Sequence, residues 1–295
     1  MKKVLLTGAT GLIGKYAIQP LLDAGFEVFA ISTKEKEDKN INWVKANLLD
    51  FSDIKKVFEE VQPQYLLHFA WDTTPGSYLG SNLNFNWLQS SLKILEQFNL
   101  HGGKRAVFAG TCFEYDFEIP EPLKENSLLK PTFVYSKCKN ELNKLATAFC
   151  KKNNISFGWG RIFYVYGEGE HEKRLIPHVI NTLKQDKEFS TSAGELVKDY
   201  MFAGDIAGAF VKFLDTDVEG CVNICTGIPL KIKEIVSLIA KKLGKENLIK
   251  FEEDYSNQPP VIVGDNSRMT KEVRYQCKYT LDKGLDKILQ IEKDI

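Results

Sequence analysis

The N-terminal half of the chain alternates short apolar runs with stretches whose apolar residues recur at helical spacing. Residues 4–7 form a short apolar run that ends in a glycine-rich turn. Residues 14–24 then place Tyr16, Ile18, Leu21 and Leu22 at helical spacing, and Gly25 marks the stop. Residues 26–31 and 43–46 read as the second and third strands. Residues 53–61 read as a helix with Ser52 as N-cap and Asp50 as a helix-start residue. Residues 65–70 are continuously apolar, as a strand buried on both faces requires. A long helix over 81–99, a strand over 106–109, a helix over 135–152 and a strand over 156–163 complete the series. Repeated strand–helix–strand units with right-handed crossovers predict an α/β fold built on a doubly wound parallel sheet.

After about residue 165 the alternation breaks. Residues 168–173 are charged and are expected to be an exposed loop. Residues 175–184, 205–214 and 232–243 read as helices, the last stopped by Gly244, and 220–225 as one more strand. Residues 256–260 read as a loop, and 267–295 mix helix with irregular chain. The expected division is a sheet domain over 1–166, to which 198–228 returns, and a smaller, partly interleaved C-terminal lobe over 167–295.

Composition narrows the classes. Apolar residues make up 43% and charged residues 26%, enough to build a core. Lys plus Arg and Asp plus Glu are 39 each, so no net positive field favours nucleic acid. No apolar run approaches the ~18 residues of a membrane span. Glycines at 8, 11 and 14 interrupt the N-terminal apolar run, unlike a secretory signal. Six irregularly spaced cysteines are expected to be reduced thiols, so the expected location is the cytoplasm. The four histidines show no metal-binding spacing, and no metal site is expected.

The chemistry starts at Gly8-Ala9-Thr10-Gly11-Leu12-Ile13-Gly14, between the first strand and first helix. Missing side chains at Gly8 and Gly11 let backbone N–H groups approach a pyrophosphate. The helix N-terminus favours its charge, and Gly14 permits close helix–sheet packing. Residues 7–14, TGATGLIG, resemble the opening motif of the extended branch of the short-chain dehydrogenase/reductase superfamily, which acts on nucleotide sugars. Leu67-His68-Phe69-Ala70-Trp71 resembles that family's fourth-strand motif, beside the cofactor ribose and nicotinamide; Trp71 stands where the family often has alanine. The resemblance implies a Rossmann fold and a nicotinamide cofactor.

The second strand ends Ala30-Ile31-Ser32-Thr33-Lys34, with no carboxylate where an NAD site holds its ribose hydroxyls. Ser32, Thr33 and Lys34 suit an adenosine 2′-phosphate, so NADP(H) is favoured over NAD(H). Asn47-Leu48 replaces the family's acidic–apolar pair beside the adenine, and Asn47 can still hydrogen-bond the adenine edge.

Tyr135 and Lys139 are spaced to share a helix face. A lysine cation beside a phenol lowers its pKa and fits it for proton transfer, although such a pair also arises by chance on solvated helices. The resemblance adds Thr111, about two dozen residues earlier, to orient the substrate oxygen that Tyr135 protonates, and assigns Lys139 to the nicotinamide ribose. Cys112 and Phe113 occupy the places where family dehydratases carry an Asp–Glu pair, which argues against dehydration. Epimerase-reductases place a cysteine two residues after the catalytic hydroxyl and a histidine before a downstream apolar–Pro segment; here Cys112 is adjacent to Thr111, and Arg174 holds the histidine's place. The resemblance is nearest to bacterial reductases of nucleotide-linked 4-keto-6-deoxysugars. A nucleotide-sugar 4-epimerase needs the same triad and stays open, as does a non-catalytic NADP(H)-sensing protein.

In the second lobe, Tyr164 stands where an asparagine is common in the family, and Lys198 replaces an arginine that binds the diphosphate. Lys198 and Arg174 are the diphosphate candidates, against a reading as ordinary surface cations. Asp205 reads as a helix cap. Asn86, on the long helix, is a candidate beside the cofactor or a buried structural residue. In this family the helices over 81–99 and 135–152 pair across a homodimer as a four-helix bundle, so a homodimer is expected.

Overall fold

The structure is a computed structural model and describes residues 2–118, 122–253 and 259–291. Its centre is a seven-stranded parallel sheet. The first half runs β1 (Lys2–Thr7), α1 (Gly14–Asp23), β2 (Phe26–Ser32), β3 (Asn42–Lys45), α2 (Phe51–Val61), β4 (Tyr65–His68), α3 (Leu83–Leu100), β5 (Arg105–Thr111), α4 (Val134–Lys152) and β6 (Ser156–Ile162). The second half adds β7 (Tyr164–Tyr166), α5 (Leu175–Lys184), β8 (Phe189–Thr191), β9 (Val197–Lys198), β10 (Tyr200–Phe202), α6 (Ala203–Leu214) and β11 (Gly220–Ile224). It ends with β12 (Leu230–Lys231), α7 (Ile232–Leu243), β13 (Ile249–Phe251), β14 (Val261–Ile262), α8 (Ser267–Lys271) and α9 (Leu281–Ile291).

The sheet order is β11-β6-β5-β4-β1-β2-β3. Side chains alternate faces along a strand, and β1 shows it. Val4 and Leu6 pack with Ala17 and Leu21 of α1 and Phe210 of α6 on one face. Leu5 packs with Phe58 of α2, Phe98 of α3 and Leu142 of α4 on the other. Both faces are covered, which is why the central strands read as continuous apolar runs. The order reverses between β1 and β4, and ligands of such sheets bind outside the carboxyl ends of the strands at that point.

A second core joins α5, α7 and α9 through Ile180, Ile239 and Leu285. Small pairings surround it: β7 with β10, β8 with β13, and β9 with β12 and β14. The chain returns from this lobe through α6 and β11, the outer strand beside β6.

Some boundaries differ from expectation. The helix cap before α2 is Asp50, whose carboxylate accepts from the Ser52 N–H at 2.8 Å; Ser52 lies inside the helix. Asp205 does not cap α6, which begins at Ala203. Its buried carboxylate instead accepts from the Tyr275 hydroxyl and the N–H groups of Lys278 and Tyr279. The fourth strand stops at His68, two residues short, because the chain turns away to line the cavity. The loop expected over 256–260 falls partly outside the described residues. Among the described residues no helix is long and apolar enough to cross a membrane.

Candidate active site

A cavity of about 590 Å³ opens at the carboxyl ends of β1, β4 and β5, between the main sheet and the second lobe. The glycine loop forms one end. Gly8 has φ +68°, and a Cβ there would lie 2.8 Å from the Ala70 nitrogen. A Cβ on Gly14 would lie 2.1 Å from the Gly8 carbonyl oxygen, so only glycine fits. The Gly11 N–H donates to that same oxygen at 2.9 Å, which closes the loop. No side chain caps α1 and its first turn holds no acidic residue, leaving the positive helix end open to an anion. Gly8, Gly11, Leu12, Ile13 and Gly14 all line the cavity, and Thr10 is exposed beside it. This cradle fits a dinucleotide pyrophosphate.

β4 continues into Phe69, Ala70 and Trp71 along the same wall. The Ala70 N–H donates to the Thr7 hydroxyl at 3.2 Å. Thr7 also bonds His68 Nδ1, whose Nε2 meets Ser91. His68 is wholly buried, and desolvation, reinforced by Lys139, pushes it down to about 3. It is a neutral structural wedge.

Thr111 ends β5, and its backbone N–H donates to Glu114 at 3.0 Å. Glu114 is fully buried, accepts from Trp159 Nε1 and pairs with Arg161 Nε at 2.7 Å. This buried pair fixes the turn that aims Thr111. Tyr135 and Lys139 stand one turn apart on α4, both buried and both lining the cavity. The Tyr135 backbone donates to the Leu79 carbonyl, and its ring packs edge-on against Tyr78 at 5.0 Å. Lys139 Nζ donates to the Ala109 carbonyl at 2.8 Å and lies 3.9 Å from the centre of the Trp71 ring. Trp71 Nε1 in turn donates to Asn84 at 2.8 Å.

The electrostatics differ from the expectation of a phenol lowered by its lysine. Burial pushes Tyr135 up and Tyr78 adds to this, while a hydrogen bond with Thr111 pulls the other way. Lys139 is itself lowered to about 7 by burial, with Glu114 opposing. With the lysine's charge weakened and directed to Ala109, Tyr135 is a protonated phenol at neutral pH, a proton donor. Cys112 beside Thr111 is buried, and desolvation raises its thiol far above neutrality. It lines the wall with Phe113 and Tyr164 and is no base.

Other candidates fall in different places. Asn86 is exposed on α3; Asn84, two residues earlier, is the buried one facing Trp71. Two residues turn a helix by about 200°, so the two asparagines lie on opposite faces. Lys198 is buried and does not line the cavity: its Nζ donates to the Pro259 carbonyl at 2.5 Å, behind Tyr164. Desolvation lowers it to about 8. Arg174 does line the cavity, donates to the Thr73 carbonyl and lies over the Tyr78 ring. At the end of β2, Ser32 is buried and accepts from the Lys34 N–H, while Thr33 and Lys34 are exposed. Asn47 is exposed and accepts from the Leu49 N–H, and Leu48 is in the core. Asn84 and Glu170 escaped the sequence reading, and Glu114, one place off the dehydratase acid position, was set aside there; only burial distinguishes the three from surface residues of the same type. Among the described residues no cluster of three or more His, Cys, Asp or Glu is placed to hold a metal ion.

Comparison with known proteins agrees with this architecture. The chain is 24% identical to a UDP-glucose 4-epimerase of Bacillus subtilis over 95% of its length and 93% of that enzyme's. It is 23% identical to a dTDP-4-dehydro-6-deoxyglucose reductase of Escherichia coli over 97% of its length and 96% of that enzyme's. Its fold superposes on the crystal structure of a Thermotoga maritima UDP-glucose 4-epimerase with a TM-score of 0.89 at 18% identity, covering 99% of both chains. Residues 4–225 match the model of the NAD dependent epimerase/dehydratase family, spanning the glycine loop, Thr111, Tyr135, Lys139 and Arg174, and the chain belongs to that family.

Proposed function

We propose that this chain uses NADPH to reduce the C4 ketone of a nucleotide-linked 4-keto-6-deoxysugar, a step in making deoxysugars for a surface polysaccharide. The observation that carries the reading is the pairing of a protonated Tyr135 with Thr111 at the cavity wall. Tyr135 and Thr111 stand together, flanked by Cys112 and Phe113 rather than by a second acid and base. When bound, the reduced nicotinamide supplies the hydride to C4. Thr111 orients the sugar oxygen through its hydroxyl. Tyr135, held protonated by its burial, gives its proton to the alkoxide as the charge develops. Lys139 then returns a proton to Tyr135. The glycine loop and the open end of α1 hold the cofactor pyrophosphate, and Arg174 holds the diphosphate of the substrate.

NADPH is preferred over NADH in this reading because the end of β2 presents Ser32, Thr33 and Lys34. The nearest carboxylate, Glu35, is paired with Lys45 at 2.9 Å. A homodimer is proposed through α3 and α4, which expose Phe85 and Leu145. A second reading, a nucleotide-sugar 4-epimerase with tightly held NAD, uses the same three residues. It is favoured by the likeness to proteins named as 4-epimerases.

The test is loss of reduced-nicotinamide absorbance with a panel of 4-keto-6-deoxysugars linked to dTDP, GDP and CDP. Wild type and Tyr135→Phe are run side by side. Stoichiometric oxidation that disappears in the variant supports the reductase. No net oxidation with any substrate, together with interconversion of C4 epimers by NMR, overturns it in favour of the epimerase.

A further inference from the structure

The loop over 168–173 carries four charged residues and a histidine and reads as exposed, yet the Glu170 side chain turns inward. Glu170 lines the cavity, and its Oε2 is shielded from solvent without a hydrogen-bond partner. The turn that aims it is built locally: Gly169 sits at φ +73°, and the Glu170 N–H donates to the Gly167 carbonyl at 3.2 Å. An orphaned carboxyl oxygen is costly to bury and calls for an explanation; Glu170 is the one of the four such atoms among the described residues whose residue lines the cavity.

The surroundings define that something. Arg174 exerts its charge on Glu170 without forming an ion pair with it, and its guanidinium reaches across the cavity to the Thr73 carbonyl. The cavity wall here is aromatic, with the Tyr164 and Tyr200 rings 5.3 Å apart. Tyr200 feels Glu170 and Arg174 in opposite directions. Desolvation raises Glu170 to about 8, so at neutral pH the group is a carboxylic acid, able to donate and accept without repelling a diphosphate next to it. A neutral carboxyl on an aromatic wall, beside a cation, is suited to a polyhydroxylated ring carrying a phosphate.

We propose that Glu170 is a specificity-determining residue that hydrogen-bonds a ring hydroxyl of the sugar through Oε2 while Arg174 holds the adjoining diphosphate. The proposal rests on the nucleotide-sugar reading above and adds the residue that reads the sugar.

The experiment is equilibrium binding of UDP, dTDP, GDP and CDP, and of the four matching nucleotide-linked glucoses, to wild type, Glu170→Ala and Glu170→Gln. For the nucleotide that binds, Glu170→Ala is expected to weaken the sugar-linked form about tenfold, the scale of one hydrogen bond. The bare diphosphate should change by less than about twofold on the same scale. Glu170→Gln, which keeps a donor and an acceptor, should recover most of the loss. Equal weakening of both ligands would show that Glu170 merely shapes the loop, and no weakening would show that it touches no sugar; either overturns the proposal. Solvent deuterium entering C3 or C5 during turnover, lost in Glu170→Gln, would also overturn it by making Glu170 an acid/base. Failure of wild type to bind any nucleotide or nucleotide sugar is a different result, and refutes the nucleotide-sugar reading itself.

Discussion

Glu114→Gln keeps the shape of the side chain behind Thr111 and removes its charge. Glu114 is fully buried and holds Arg161 Nε at 2.7 Å, Trp159 Nε1 at 3.0 Å and the Thr111 N–H at 3.0 Å. The variant leaves the Arg161 guanidinium in the interior with only neutral partners, the Tyr115 hydroxyl and the Glu125 carbonyl. Breaking a buried pair from one side costs about 3–5 kcal/mol, because the surviving charge is uncompensated. That is a large part of the roughly 5–15 kcal/mol that holds a typical protein folded. At about 2–4 °C per kcal/mol, thermal unfolding should shift down by about 6–20 °C. The coupling is read by a double-mutant cycle with Arg161→Leu, in which the two losses should fall short of additivity by at least about 1 kcal/mol. The cycle is followed by urea unfolding. A Glu114→Gln midpoint within about 2 °C of wild type, less than the shift 1 kcal/mol produces, would refute the reasoning.

Four further outcomes follow from the same geometry. Lys139 has a folded pKa of about 7, below its unfolded value near 10.4, so between these limits the unfolded chain binds more protons and stability rises with pH. From pH 7 to 9 wild type should gain about 2 kcal/mol relative to Lys139→Met by urea unfolding, and a falling difference would contradict the assignment. Gly14→Ala places a Cβ 2.1 Å from the Gly8 carbonyl oxygen and should abolish cofactor binding in a fluorescence titration; unchanged affinity would mean the loop holds no pyrophosphate. Trp71→Ala removes the ring beneath the Lys139 ammonium and the bond to Asn84, and should lower kcat about tenfold through Lys139 rather than through substrate binding. A raised KM at constant kcat would place Trp71 on the substrate instead. Leu145→Arg, on the exposed face of α4, should convert a dimer to monomers by light scattering, and an unaltered mass would move the interface elsewhere.

What could be read from the chain divides along physical lines. The main sheet was legible because both its faces are covered, so each strand declares itself as an apolar run between amphipathic helices. The glycine loop was legible because Gly8 and Gly14 occupy positions that no other residue fits. The two- and three-residue strands of the second lobe, such as β9 and β12, are too short to carry a period. Helix phase was the limit for Asn86: a shift of two residues exchanges a solvent-facing asparagine for Asn84 in the wall. Charge misled at Lys198, whose ammonium is satisfied by a backbone carbonyl inside the lobe. It misled again at Glu170, where one inward-turned side chain sits in an otherwise polar loop. The depressed Lys139 and raised Tyr135 depend on desolvation, which no spacing along the chain encodes.

The most direct measurement of the central claim is single-turnover transfer from NADPH deuterated at the reactive carbon, with product examined by NMR. One equivalent of cofactor consumed, one deuterium fixed at C4 of the sugar, and neither event in Tyr135→Phe is the expected result. Turnover that leaves the added cofactor unconsumed and C4 free of deuterium would contradict it, and would make the same three residues the machinery of an epimerase.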